Sequence, residues 1–376
     1  MTPPVRFGMV GGGQDAFIGA IHRMALALDG RGTLVAGALS STPDRAIDSA
    51  RALNLAPERS YPTWRAMLEA EAQRPRDERI DAVSIVTPNH THFEIASACL
   101  SAGFHVVLDK PMVCNANEAE QLIKAAERSS ATLTVTYNYS GYPLVREARA
   151  IVEQGTLGAI RKVFVRYHQG WLSSDLESSG QKQAAWRTDP AKSGGAGALG
   201  DIGTHAEHLA RFITGMTPHE LCADVNAYVN GRRVDDDAGV LLRYPTGATG
   251  VLTCSQVCFG EENGLSIQIY GEHGALAWHQ EKPNRLELRD TSGRLRIVTR
   301  GEPGLSEGAA ASTRTPTGHP EGFIEAFANI YRGAIDRVRA HESVHASLAP
   351  DVYDGAAGIR FVEACLATKG AWVSLD

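Results

Sequence analysis

Long apolar runs, basic tracts and paired cysteines are all missing from this sequence of 376 residues. No stretch approaches the roughly 18 to 20 consecutive apolar residues that crossing a bilayer requires. The start, Met1 to Arg6, lacks the basic, apolar and small-residue regions of a secretory signal, so the expected location is the cytoplasm, with no membrane partner. The 37 basic and 43 acidic residues are interspersed and leave a formal charge of -6, with no cationic tract to follow a phosphate backbone. Nucleic acid is therefore not an expected partner. The six cysteines (Cys99, Cys114, Cys222, Cys254, Cys258, Cys365) form no CxxC pair, so no metal site is expected. Cys254 and Cys258 fall in a strand-like run and read as small buried side chains on one face. Internal repeats are also missing, and only Gly301 to Gly318 reads as a long polar loop.

What is present is ordinary globular composition, 43% apolar and 21% charged, in a chain long enough for two cores. The first 140 residues repeat one theme. Short β-branched runs (Val5 to Val10, Thr33 to Leu39, Ala82 to Val86, His105 to Leu108, Thr132 to Thr136) alternate with helical spacing at Ala16 to Leu28, Pro43 to Leu53, Thr63 to Ala72, Thr91 to Ala102 and Asn115 to Ser129. Such alternation means parallel strands joined by crossovers, a doubly wound sheet. After about Ser140 a helix pattern (Tyr142 to Gln154) gives way to alternating runs at Ile160 to His168, Asp237 to Tyr244, Ala248 to Val257 and Leu265 to Tyr270. Helical patterns return at Asp201 to Thr214, Pro320 to Ala340 and Val352 to Thr368. The expected architecture is α/β: a doubly wound parallel domain over residues 1–140, then an α+β domain over 141–376 with a large open, mostly antiparallel sheet and helices on one face. The uncovered face of that sheet suggests a homodimer or homotetramer.

Directly after the first strand stand Gly11, Gly12, Gly13 and then Ala16, a GxGxxA pattern at the mouth of a helix. Gly11 suits a tight turn, Gly13 a close backbone approach to a pyrophosphate, and Ala16 close helix packing, as a dinucleotide-binding loop needs. At the end of the second strand an acid would bond a ribose 2'-hydroxyl and a basic residue a 2'-phosphate. Here Ser40 and Ser41 come first, then Asp44 and Arg45, which leans to NAD with NADP left open. Ligands of open α/β sheets bind at the carboxyl ends of strands, where Thr87-Pro88-Asn89-His90 and Asp109-Lys110-Pro111 lie, so both segments should face the nicotinamide. The cofactor set on this reading is Gly11, Gly13, Gln14, Ala16, Ser40, Ser41, Arg45, Thr87, Pro88, Asn89, His92, Asp109 and Lys110, although His90 and His92 also suit capping of the next helix. Far downstream, Asp201 and His205 stand four apart at the expected first turn of a helix, preceded by small residues that let a ligand come close.

The glycine loop, the TPN-H segment, the DKP triplet and Gly200-Asp201-Ile202-Gly203-Thr204-His205, in this order, resemble the Gfo/Idh/MocA oxidoreductases along nearly the whole chain. The triplet departs from that family in having Asp109 for its usual Glu. Gly194 to His205, His168-Gln169-Gly170-Trp171, Trp186-Arg187 and His319-Pro320-Glu321-Gly322 look most like its inositol, L-glucose and glucoside dehydrogenase branch. The resemblance implies NAD(P)-dependent oxidation of a ring hydroxyl of a sugar or cyclitol, with Lys110, Asp201 and His205 as the catalytic set. Alcohol oxidation needs a base with a pKa near the working pH, which suits His205; Lys110 can donate to the reacting oxygen, and Asp201 can hold the hydroxyl. Taken singly, His205 could be a satisfied core imidazole, Asp201 a helix N-cap and Lys110 a solvated strand-end charge. Tyr137, Asn138, Tyr139 and Tyr142 either line a sugar site or cap a domain junction. His168, Trp171, Trp186 and Arg187 suit a sugar because aromatic faces cover CH surfaces and polar tips bond hydroxyls. Asp235-Asp236-Asp237 reads as a solvated turn rather than a cation site. Two competing functions remain, an NAD-dependent glycoside hydrolase and a non-catalytic sugar or dinucleotide sensor.

Overall fold

The structure, a computed structural model, describes residues 2–375. Strands β1 (Val5–Gly11), β2 (Gly32–Ala38), β3 (Ala82–Val86), β4 (His105–Leu108) and β5 (Leu133–Val135) form a parallel sheet in the order β2-β1-β3-β4-β5. Between them run α1 (Phe17–Ala27), α2 (Pro43–Ala52), α3 (Trp64–Gln73), α4 (His92–Ser101) and α5 (Ala116–Arg128). A further parallel strand is reduced to one bridge, Gly37 to Ser60, beside β2. Counting that bridge, the order is the 3-2-1-4-5-6 of doubly wound dinucleotide-binding sheets, with the switch point between β1 and β3. Both faces of such a sheet are covered, which is why β3 is buried at every position and carries no alternation.

The second half comprises α6 (Pro143–Glu153), β6 (Ile160–His168), α7 (Lys182–Arg187), α8 (Pro190–Ser193), α9 (Thr204–Thr214), β7 (Glu220–Asn226), β8 (Asp237–Arg243), β9 (Thr249–Ser255), β10 (Gly264–Gly271), β11 (Gly274–His279), β12 (Arg285–Asp290) and β13 (Leu295–Thr299). It ends with α10 (Glu307–Ala311), α11 (Phe323–Val338), α12 (Val344–Ser347), α13 (Val352–Ala367) and β14 (Val373–Ser374). Nine strands build one sheet in the order β13-β12-β11-β10-β6-β9-β8-β7-β14. All its pairs are antiparallel except β6 with β9. Along β6 the side chains of Val163, Val165 and Tyr167 are buried while Phe164 and Arg166 are exposed, the period-two pattern of a sheet covered on one face.

The chain divides into two compact units: residues 1–113, 117–141 and 323–355, and residues 114–116, 142–322 and 356–376. This departs from the expected boundary at 140/141, because α11 and α12 belong to the first unit. Phe327, Ala328, Tyr331, Ala334 and Ile335 of α11 are buried in one cluster with Val5, Phe7, Ile21, Leu26, Ala82 and Val107. The expected placing of Cys254 and Cys258 on one buried strand face also fails. β9 stops at Ser255, and only Cys254 is buried. Nor is 301–318 only a loop: it contains α10, and Arg300 ties its far end through Glu321 and the carbonyl of Thr315.

Candidate active site

In the first unit the glycine loop has the form a dinucleotide phosphate needs. Gly11 and Gly12 take φ of +77° and +70°, a backbone region that favours glycine. Ala16, the N-cap of α1, offers no side-chain cap, so the first-turn amides are left for an anion. The division of labour among the small residues differs from the expectation. A Cβ on Gly13 would lie 2.5 Å from the Leu39 carbonyl oxygen and 2.6 Å from Ser49 Oγ, so Gly13 is required by the fold behind the loop. Close helix packing belongs to Gly19 rather than Ala16, since a Cβ there would stand 2.3 Å from the Gly12 carbonyl oxygen. The Gln14 amide donates to Ser49 Oγ, and Arg45 is tied to Asp15 at 2.7 Å and to the Gln14 carbonyl. Ser40 Oγ accepts from the Thr42 amide, and Ser41 is exposed.

Thr87-Pro88-Asn89 leads from β3 into a short turn where Thr91 Oγ1 donates to Thr87 Oγ1, and Asn89 is buried. His92 does not reach outward: it is fully buried, its Nδ1 3.0 Å from the Pro111 carbonyl oxygen and its Nε2 2.8 Å from that of Thr87. The ring thus staples the two strand-end loops; burial lowers the imidazole pKa, and in the neutral ring one nitrogen alone carries the proton and donates. Beside this staple, Asp109 Oδ1 accepts from Thr136 Oγ1 at 2.8 Å and from the Lys110 amide at 3.0 Å. Burial would raise the Asp109 carboxyl, but His22, Lys110 and Thr136 outweigh it and hold the group well below the usual carboxylate range. Tyr137, Asn138 and Tyr139, just past β5, are buried.

The second unit arranges its own polar cluster. Leu199–Gly203 forms a π-helical turn running into α9, so Asp201 sits in a widened turn ahead of α9 and is not an N-cap. That turn is pinned from beneath. Asp235, buried, accepts from the Gly197 amide at 2.6 Å and the Leu199 amide at 2.7 Å, and a Cβ on Gly197 would lie 2.0 Å from the Asp235 carbonyl oxygen. Asp236 is equally buried and accepts from Tyr228, Val229 and Arg232, so the expectation of a solvated turn is overturned for both residues. Asp237 opens β8. Among the described residues no group of three or more His, Cys, Asp or Glu could hold a metal ion.

Asp201 Oδ2 accepts from Gln256 Nε2 at 2.9 Å and pairs with Arg187 Nε at 3.3 Å. Arg187 lies over the Trp186 ring, 4.3 Å from its centroid. His205, buried on α9, packs against Tyr167 at 6.2 Å between ring centroids. Tyr167 donates to Asn263 Oδ1, as does Gln169 Nε2, and Gln169 in turn accepts from Trp171 Nε1 at 3.0 Å. Tyr142 packs on Trp278. His168 falls outside this cluster: its Nε2 lies 2.9 Å from Thr253 Oγ1, and strand alternation puts it on the face opposite Tyr167. The sequence reading took His168 and passed over Tyr167. It also missed Gln256 and Asn263, although amides flanking strand ends are a signal for hydroxyl recognition.

A family model described as an oxidoreductase family with an NAD-binding Rossmann fold matches residues 5–137, and one described as the GFO/IDH/MocA C-terminal domain matches residues 145–277. The uncharacterized oxidoreductase YfiI of Bacillus subtilis is 36% identical over 99% of this chain and 97% of its own. A crystal structure of an inositol dehydrogenase homolog from Azotobacter vinelandii complexed with NAD+ superposes with a TM-score of 0.94 at 36% identity, covering 100% of this chain and 98% of that one. The same homolog complexed with NADH and myo-inositol gives 0.91 at 35% identity, with the same coverage of the two chains, 100% and 98%. The protein is therefore an oxidoreductase with an NAD-binding Rossmann domain and belongs to the Gfo/Idh/MocA family.

Proposed function

We propose that the protein oxidises a ring hydroxyl of a cyclitol such as scyllo- or myo-inositol, or of a pyranose such as L-glucose, with Lys110, Asp201 and His205 as catalytic residues and NAD preferred over NADP. The observation that carries this reading is the cluster on the second unit, where a carboxylate shared by an amide and a guanidinium stands one turn from a buried imidazole. Asp201, Gln256, Gln169 and Asn263 form a linked set of donors and acceptors of the kind that bonds hydroxyls, and Trp171 offers an apolar face. The myo-inositol complex of the Azotobacter homolog supports a cyclitol.

Bound nicotinamide supplies the hydride acceptor. His205 takes the hydroxyl proton, a task that suits a side chain whose ordinary pKa lies near neutrality. Lys110 donates to the same oxygen and favours its developing negative charge, while Asp201, held by Gln256 and Arg187, receives a substrate hydroxyl and fixes its direction. NAD is preferred because Ser40 and Asp44 can serve the ribose hydroxyls, no arginine directly follows β2, and Arg45 is paired with Asp15. Self-association through the uncovered sheet face, and residence in the cytoplasm, belong to the same reading.

The test is a screen of inositols, hexoses and glucosides with NAD and NADP, following absorbance of the reduced nicotinamide. His205→Ala should lower turnover on the best substrate by ~10² or more while sparing NADH binding. Wild-type turnover in that variant would refute the assignment of the base. Release of free sugar from a glycoside without net NADH would replace the dehydrogenase with a hydrolase.

A further inference from the structure

The chemistry above gives no role to several buried side chains of the NAD-binding unit, and one of them, an imidazole, faces the loop that carries Lys110. His22, on α1, is fully buried. It lies edge-on to Phe327 at 4.7 Å between ring centroids. Its Nδ1 is 2.8 Å from the Tyr331 hydroxyl, which is itself 2.8 Å from Ser84 Oγ. Its Nε2 makes no hydrogen bond and lies 3.9 Å from Asp109 Oδ1. That distance is too long for a hydrogen bond but close enough for an electrostatic contact, with the imidazole fully buried and the carboxylate largely so.

The proton positions follow from the partners. Asp109, an acceptor only, faces Nε2, which assigns the ring proton to Nε2; Nδ1 then accepts from Tyr331, whose oxygen in turn accepts from Ser84. A leucine or phenylalanine would fill the space among Phe327 and its neighbours without the cost of burying two polar nitrogens. What an imidazole adds is an N–H aimed at Asp109. The oxygen it faces also receives Thr136 Oγ1 from the end of β5 and the Lys110 amide from the loop after β4. One carboxylate oxygen therefore joins α1, β5 and the loop that carries Lys110. Asp109 is also the residue at which this chain departs from the Glu usual in its family.

We infer that His22 is a positioning residue: acting through Asp109, it holds the Asp109-Lys110-Pro111 loop against the sheet and so sets where Lys110 stands at the nicotinamide end of the cofactor site. The inference rests on the proposed function only in taking that loop to face the nicotinamide.

The test compares two amides in the full-length protein. Glutamine carries its amide about as far out as Nε2 and keeps a donor toward Asp109; asparagine reaches only as far as Nδ1 and keeps the Tyr331 contact alone. Fluorescence titration should show His22→Asn weakening NADH about fivefold or more while ADP-ribose, which lacks the nicotinamide, stays within about twofold. His22→Gln should stay close to wild type for both ligands. In an Asp109→Asn background His22→Asn should add nothing, because its route to the loop is gone. If His22→Asn does not fold, Thr136→Val, which removes another donor from the same carboxylate oxygen, should reproduce the NADH-selective loss. Equal weakening of NADH and ADP-ribose, identical behaviour of the two amides, or an additive double mutant would overturn the inference. A wild-type protein that binds NADH but turns over no ring polyol refutes the proposed function and leaves this titration readable.

Discussion

Gly19 and Ala16 lie three residues apart at the mouth of α1, and the pattern GxGxxA points to the wrong one for close packing. A helix that begins at Phe17 brings its third residue, not its N-cap, over the Gly12 backbone. Gly19→Ala should therefore push the glycine loop out of place, at a cost of about 1–3 kcal/mol of overpacking. NADH binding should weaken by about tenfold or more and the melting temperature fall, whereas Ala16→Gly should change binding little. Fluorescence titration of the two variants decides the matter, and equal affinities would return the packing role to Ala16. His168 and Tyr167 teach the same lesson. The motif named the first, but only the phase of strand alternation, fixed by which face the helices cover, shows that the second shares a side with His205. Lys110, Asp201 and His205 were legible as residue types at motif spacings. Gln256, Asn263 and His22 were not, because each matters through a partner 55 or more positions away in the sequence.

At the scale of elements, the five parallel strands and their crossover helices were readable from alternation of apolar runs and helical spacing. Five antiparallel strands, β7 and β11 to β14, were not picked out. β12 reads Arg-Leu-Glu-Leu-Arg-Asp, so its period-two signal rests on Leu286 and Leu288 alone. No local pattern announces the parallel pairing of β6 with β9 or the widened turn holding Asp201. That turn depends on two backbone N–H groups donating to the buried Asp235 carboxylate, which a run of three aspartates does not advertise. The registers of the large sheet also show what its uncovered face presents. Leu241, Val251, Phe164, Gln268, Ala277, Glu287 and Ile297 stand in one row across seven strands. Phe164, Leu241 and Ile297 are exposed, and Tyr270 meets the Phe164 ring edge-on. Exposed apolar side chains aligned on one sheet face are what self-association would cover. Light scattering should give a dimer or tetramer, and Phe164→Glu should shift it to the monomer. A wild-type monomer at micromolar concentration would end this part of the reading.

At the scale of the whole molecule, the NAD-binding unit is not a contiguous stretch of sequence. One face of its sheet is covered by α11, within residues 323–355, which follow every strand of the second sheet except β14. Phe327, Tyr331 and Ile335 are each no more than 2% exposed, and the Tyr331 hydroxyl also links Ser84 to His22. Burying three such side chains contributes about 5–9 kcal/mol, comparable to the whole stability of an ordinary domain. Arg31 and Asp336 form an ion pair, and Arg332 reaches Asp29 at 2.6 Å, so the segment is fastened at its rim as well as in the core. A fragment of residues 1–141 should therefore leave Val5, Phe7, Ile21 and Leu26 uncovered. It should bind a hydrophobic dye, melt without a cooperative transition and fail to bind NADH, although it contains the entire glycine loop. Joining residues 323–355 to it through a flexible linker should restore a cooperative melt and NADH binding together. If the short fragment alone melted cooperatively and bound NADH with the affinity of the full chain, α11 would be an ornament on a self-sufficient domain, and the stability assigned to its three buried side chains would be wrong.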